Sequence, residues 1–148
     1  MKKGLLNKKI LRLVDANFNR LKEGLRVCED ISRFIFDDTE STKKLKRTRH
    51  QILNLIKRLP LEIDSLIDSR DSKSDVGRSY SIKFETKRTD SQDIFRANIQ
   101  RIKESLRVLE EFSKLFNQKI SLRFKSIRYQ IYSLEQEIIQ RFCAVEKQ

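Results

Sequence analysis

Residues Asp15–Phe34 read DANFNRLKEGLRVCEDISRF, and residues Arg96–Leu115 read RANIQRIKESLRVLEEFSKL. Laid over one another at an offset of 81, they share Ala16/Ala97, Asn17/Asn98, Arg20/Arg101, Lys22/Lys103, Glu23/Glu104, Leu25/Leu106, Arg26/Arg107, Val27/Val108, Glu29/Glu110 and Ser32/Ser113. Identity at about half of the window is more than helical periodicity alone produces, so the chain reads as an internal duplication. Further out, Arg49-His50-Gln51-Ile52 is echoed by Arg128-Tyr129-Gln130-Ile131 at an offset of 79, which places a small loop difference between the halves.

Each half therefore reads as helix, short turn, helix. The first helix is expected from about Asn7 to Phe36. Asp37-Asp38-Thr39 offers N-caps for the second, which ends near Pro60 because proline removes a donor and clashes with the preceding turn. The third starts near Asp90, where Asp90 and Asp93 have capping-box spacing, and runs to about Phe116. The fourth spans about Gln118 to Phe142. The expected fold is all-α: a four-helix bundle built from two duplicated hairpins with pseudo-twofold symmetry. One domain over 1–148 divides into a hairpin at about 7–60, a polar loop at about 61–89 and a second hairpin at about 90–143.

Composition agrees. The 148 residues hold three glycines, one proline and no tryptophan, which favours long helices over a β-sandwich or a glycine-rich α/β fold. Hydrophobic residues at 38% suffice for a core, and charged residues at 36% require a large solvated surface. Lys+Arg number 33 against 21 Asp+Glu, a net charge of +12. That field attracts nucleic acid, an anionic membrane or a phosphorylated metabolite alike. Cys28 and Cys143 do not make a disulfide framework, and a reduced, cytoplasmic setting is expected. No apolar run approaches the roughly 20 residues that span a bilayer, and the N-terminus lacks the pattern of a signal peptide.

Stepping 100° per residue, as an α-helix does, puts Leu13, Val14, Leu21, Leu25, Cys28, Ile31 and Ile35 on one arc of the first helix. In the third helix the arc holds Ile94, Phe95, Ile102, Leu106, Leu109, Phe112 and Phe116. Gly24 and Ser105, small and matched, lie inside these arcs and are read as letting the first and third helices approach closely. Asn17 and Asn98 also lie inside them. Buried amides must be hydrogen-bonded, so this pair either bonds across the pseudo-axis or reads the edge of a ligand.

Arg20, Glu23 and Arg26, with Arg101, Glu104 and Arg107, form three-residue ladders. Such ladders are commonly solvated ion pairs. Their duplication and their place at the rim of the arc point instead to guanidinium forks converging on phosphate in one shared pocket, with the glutamates orienting them or holding Mg²⁺. Arg70-Asp71-Ser72-Lys73-Ser74-Asp75-Val76-Gly77-Arg78 alternates cation and carboxylate; it reads either as a charged linker or as a cover over phosphates and metal. His50 stands alone among histidines, which disfavours a zinc site or a triad. Neither GxxxxGK[ST] nor GxGxxG occurs.

The strings VDANFNRLKEGLRVCEDISRF, RTRH, SRDSKSDVGR, RANIQRIKESLRVLEEFSKL and IRYQIYSLE resemble, in this order, the small helical hydroxymethylpyrimidine-phosphate kinases of thiamine biosynthesis. That family occurs as free proteins or as an N-terminal extension of thiamine-phosphate synthase. The resemblance covers about Ile10 to Leu134. Its RDTxxDVG string reads RDSKSDVG here, and Ser105 stands for the alanine of EALR; neither change removes a charge. The resemblance implies transfer of the ATP γ-phosphoryl group to hydroxymethylpyrimidine monophosphate, with Mg²⁺ and a functional link to thiamine-phosphate synthase. With no barrel after residue 148, it implies the free-standing form.

Phosphoryl transfer needs positioning and charge stabilisation more than covalent chemistry. The acceptor phosphate is largely deprotonated near neutral pH, its second pKa being about 6, so no strong base is needed. On this reading Arg20, Glu23, Arg101 and Glu104 are catalytic, and Asn17, Arg26, Asn98, Arg107, Arg70 and Arg78 bind substrate and phosphate. Asp71 and Asp75 hold the metal. The alternatives are a basic module gripping nucleic-acid backbone, against which the interleaved glutamates argue, another helical enzyme acting on an anionic metabolite, and a purely structural bundle. The oligomeric state stays open between monomer and homodimer.

Overall fold

The computed structural model of the chain describes residues 8–80 and 86–147. These residues are helical, in the order α1 (Lys8–Asp30), α2 (Thr39–Lys57), α3 (Ile63–Asp68), α4 (Ser91–Ser113) and α5 (Gln118–Val145), with no strand among them. The expected start at Asn7 and residues 81–85 of the expected loop lie outside the described residues. The helix α1 packs on α4, α2 and α3, while α5 packs on α4 and α2. No described helix is long and apolar enough to cross a membrane.

The expected caps form. Asp38 accepts from the Ser41 amide at 3.0 Å, and Asp90 accepts from that of Asp93 at 2.7 Å. Asn117 caps α5 through the amide of Lys119 at 2.9 Å. Each cap satisfies an orphan donor of the first helical turn. The last helix runs to Val145, three residues past the expected Phe142.

Two expectations need correction. The stretch 61–89 is not wholly irregular, because Ile63–Asp68 forms the short α3, with Leu66 buried. Six residues are too few to show a helical period. Ile35 is not a core residue: it is 59% exposed. Residues Ile31–Ile35 form a π-turn in which the Phe36 amide donates to the Ile31 carbonyl, five residues back, at 3.2 Å. The extra residue in that turn rotates Ile35 outward and Phe36 inward. Phe36 stacks on Phe142 at 3.9 Å between ring centroids. Asp37 then takes the left-handed region at φ 50°, which aspartate tolerates better than most residues, and the Asp38 amide reaches the Ser32 carbonyl at 2.8 Å. Ser32/Ser113 keep the offset of 81, whereas the caps Asp38/Asn117 stand at 79. The π-turn and Asp37 thus absorb the extra length of the first half.

The two helices that carry the repeated string meet at Gly24. A Cβ there would stand 2.9 Å from Ile102 Cγ1 and 3.2 Å from the Asn98 carbonyl oxygen, so α1 and α4 approach as closely as the small residue allows. The buried faces are wider than one arc, since Phe18 and its counterpart Ile99 are also buried. Each helix packs against more than one neighbour, which broadens the apolar stripe. Cys28 is buried, its Sγ 3.8 Å from the Phe95 carbonyl, and burial raises its thiol pKa well above the usual range.

Candidate functional site

The segment after α3 folds back onto α1. Ser69, the residue following α3, is buried, so Arg70 leaves the helix end facing α1. Its Nε donates to Asp15 Oδ2 at 2.6 Å and its Nη2 to Oδ1 at 3.0 Å. This two-pronged, charge-assisted pairing fixes both position and angle. Arg12 Nη2 adds a bond to the Asp71 carbonyl at 3.2 Å, and Arg78 Nη1 donates to the Ser72 carbonyl at 3.3 Å. Asp71 Oδ1 accepts from the Ser74 amide at 3.2 Å, and Asp75 Oδ1 accepts from that of Gly77 at 2.9 Å.

Between this strap and α1 lies a hollow of about 370 Å³ lined by Arg12, Asp15, Ala16, Asn19, Glu23, Arg70, Asp71, Ser72 and Asp75. A second hollow, of about 560 Å³, is lined by Asn19, Lys22, Glu23, Arg26, Val27, Arg49 and Leu53. Asn19 and Glu23 border both, so the two join into one groove running along α1 from the strap to α2. The strap end carries Asp15, Asp71 and Asp75 beside Arg12 and Arg70, with carboxylates in excess; the α2 end carries Lys22, Arg26 and Arg49. Behind the cationic end sits the buried Glu29, which accepts from Arg49 Nε at 3.0 Å and has Arg26 Nη1 at 3.7 Å. A buried carboxylate requires such partners, and here they also hold the guanidiniums in place.

The second half repeats that ion pair in different surroundings. Buried Glu110 pairs with Arg128 Nη2 at 2.9 Å and Arg107 Nη1 at 3.1 Å. Arg96 stands where α1 has Asp15, so there is no carboxylate to anchor a strap. Tyr132 stands where α2 has Leu53, with Lys103 Nζ 5.0 Å from its ring centre. Lys103 is further tied to Glu135 at 2.7 Å. Its counterpart Lys22 is exposed in the groove, because Ile56 stands where α5 has Glu135.

Of the residues singled out from sequence, Glu23, Arg26, Arg70, Asp71 and Asp75 line the groove. Arg20 and Arg101 are exposed and line neither hollow. Glu104 accepts from Gln100 at 3.1 Å and Arg107 binds Glu110 and Glu111, all on α4. Arg78 lines neither hollow and braces the strap through the Ser72 carbonyl. Asn17 and Asn98 each turn the amide nitrogen back to a carbonyl of their own helix, Leu13 at 2.9 Å and Ile94 at 2.8 Å, and neither lines the groove. The expected convergence of both ladders on one shared pocket does not occur. The apolar faces of α1 and α4 meet each other, so their exposed faces look away from one another.

Arg12, Asp15, Asn19, Lys22 and Arg49 were missed by sequence reasoning. Asp15 and Arg70 are 55 residues apart, and only the one difference between the copies at Asp15/Arg96 hinted at the pairing. Among the described residues no three His, Cys, Asp or Glu side chains are grouped to hold a metal unaided. Asp71 and Asp75 nonetheless suit Mg²⁺, which commonly takes one or two carboxylates and completes its shell with water and substrate phosphates.

The family model of the ThiD2 family matches residues 12–137. The chain belongs to the ThiD2 family. Its relatives include thiamine-phosphate synthases of Synechocystis, 36% identical over 130 residues, and of Rhodopirellula baltica, 37% identical over 129. That of Prochlorococcus marinus subsp. pastoris is 40% identical over 131 residues. The matches cover 87–88% of this ThiD2 chain and 34–36% of the relatives, so the chain spans about a third of their length. No solved structure matches it. The matched stretch contains the whole α1 groove and its strap.

Proposed function

We propose that the chain is a cytoplasmic, ATP-dependent kinase of thiamine biosynthesis that converts hydroxymethylpyrimidine monophosphate to the diphosphate. We also read its four long helices as one bundle of two duplicated hairpins. The observation that carries the kinase reading is the groove on α1, cationic at one end and acidic at the other, within a ThiD2-family chain. Two anionic substrates must be held together there, and arginine forks match phosphate geometry.

An oxygen of the acceptor phosphate forms a bond to the γ-phosphorus while the bond to the β–γ bridging oxygen breaks, and ADP leaves with that electron pair. Lys22 and Arg26 hold phosphoryl oxygens at the α2 end, and Arg49 backs them through Glu29. Asn19, at the junction of the two hollows, is placed to orient a polar ring. Asp71 and Asp75 would hold Mg²⁺; the chemistry it supplies when bound is neutralisation of charge on the phosphoryl oxygens. Arg70, locked to Asp15, keeps the acidic strap over α1 and so acts through position.

The test is a coupled ADP-release assay. Hydroxymethylpyrimidine monophosphate with ATP and Mg²⁺ should release ADP, and free hydroxymethylpyrimidine should not. Silence with the monophosphate would overturn the reading.

A further inference from the structure

The seam between α2 and α5, away from the α1 groove, holds two hollows that correspond residue for residue. One, of about 380 Å³, includes Lys44, Gln51, Gln130 and Glu137. The other, of about 210 Å³, includes Gln51, Arg58, Arg123 and Gln130. At the offset of 79 every lining residue of the first has its counterpart in the second, with Gln51 and Gln130 exchanging places at the centre. Lys44 corresponds to Arg123, and Glu137 to Arg58.

The chemistry of the two hollows differs at that pair. Lys44 Nζ meets Glu137 Oε2 at 2.6 Å, so in the first hollow the lysine is neutralised and Arg47, where the second hollow has Ser126, is the remaining cation. The second is lined instead by two exposed arginines, Arg58 and Arg123. Among the described residues neither the Arg58 nor the Arg123 guanidinium has a hydrogen-bond or ion-pair partner. Two cations lining one small hollow repel each other, and an anion between them removes that cost. Two guanidinium forks, with the Gln51, Asn54 and Gln130 amides and the Ser126 hydroxyl around them, match the acceptor-rich oxygens of phosphate.

We propose that the Arg58–Arg123 hollow between α2 and α5 is a second anion site that takes a phosphate or diphosphate group of a small molecule, separate from the α1 groove. The duplication supplies its origin: one copy of the seam keeps a lysine–glutamate pair, and the other replaces the carboxylate with Arg58 and recruits it from a ligand. Because α2 carries Arg49 toward α1 and ends at Arg58, its C-cap, beside α5, one helix borders both sites.

The test is a backbone-amide NMR titration of the full chain with inorganic diphosphate at physiological salt. Saturable shifts are expected at Gln51, Asn54, Ser126 and Gln130. They should be lost in Arg58→Ala/Arg123→Ala and in Arg58→Glu, which rebuilds the pairing of the other hollow. They should survive in Arg70→Ala, which disturbs only the α1 groove. Absence of saturable shifts at those residues, or shifts that persist unchanged in the double variant, would overturn the proposal, whatever the kinase assay reports.

Discussion

The helices α1 and α4 share Lys22/Lys103, Glu23/Glu104 and Arg26/Arg107, yet only the α1 copy borders the strap-covered groove. Three neighbouring positions account for this. Asp15 against Arg96 decides whether the strap can dock, Leu53 against Tyr132 decides how much space remains beside the helix, and Ile56 against Glu135 decides whether the repeated lysine, Lys22 or Lys103, is left exposed or tied down. A repeated ladder is therefore architecture, and its surroundings leave a groove beside one copy. The ion pairs at Glu29 and Glu110, which both halves keep, belong to the shared architecture.

The largest effect is expected where the copies touch. Gly24→Val puts a branched side chain against Ile102 and the Asn98 carbonyl, and such overpacking costs about 1–3 kcal/mol. Thermal unfolding should report a clear fall in midpoint. The reciprocal Ser105→Gly costs only about 0.5–1 kcal/mol, through helix entropy. Equal losses would mean that the helices are not held apart by side-chain volume at Gly24.

Next comes the strap. Arg70→Ala leaves Asp15, whose side chain is 10% exposed, without its partner. The kcat/KM for the monophosphate should fall ten- to a hundredfold, about 1.4–2.7 kcal/mol in barrier, with helical circular dichroism unchanged. Asp15→Ala should do the same, and the double variant should be no worse than either, because the two side chains act as one unit. Additive losses would separate them.

A smaller effect distinguishes the caps. Partial burial works to raise the Asp38 pKa, but hydrogen bonds from the Ser41 hydroxyl and amide and from Arg141 outweigh it and hold the carboxyl below its usual range. Its contribution is complete above the unfolded value near 3.9 and is lost as pH falls through the lower folded value. Asp38→Ala should cost about 1 kcal/mol at neutral pH and make the acid limb of a stability profile shallower. Asn117, the uncharged cap of the second half, contributes no such slope. Smallest of all, Arg20→Ala and Arg101→Ala should leave kcat/KM within about threefold, less than 1 kcal/mol.

The all-helical fold, the caps at Asp38 and Asp90, the helix spans and the close approach at Gly24 were legible because each rests on local chemistry or on a repeated string. The π-turn was not: a single extra residue in one turn leaves no mark on a periodicity computed at 100° per step, and it moved Ile35 out of the core and Phe36 in. The short α3 was hidden by its length. In the site, the strap's charge pattern and the α1 ladder were readable, but their meeting depends on a long-range pair, Asp15 with Arg70. Asn17 and Asn98 drew attention as polar groups on an apolar face, and each proved to be satisfied by its own helix, while Asn19 two residues on faces the groove.

Arg26 and Arg107 offer the most direct test, since each braces an equivalent buried glutamate that keeps a second arginine. Alanine at either position should lower stability alike. The kcat/KM for hydroxymethylpyrimidine monophosphate should fall at least tenfold more in Arg26→Ala than in Arg107→Ala. Equal losses, or a greater loss in Arg107→Ala, would contradict the assignment of the working groove to α1.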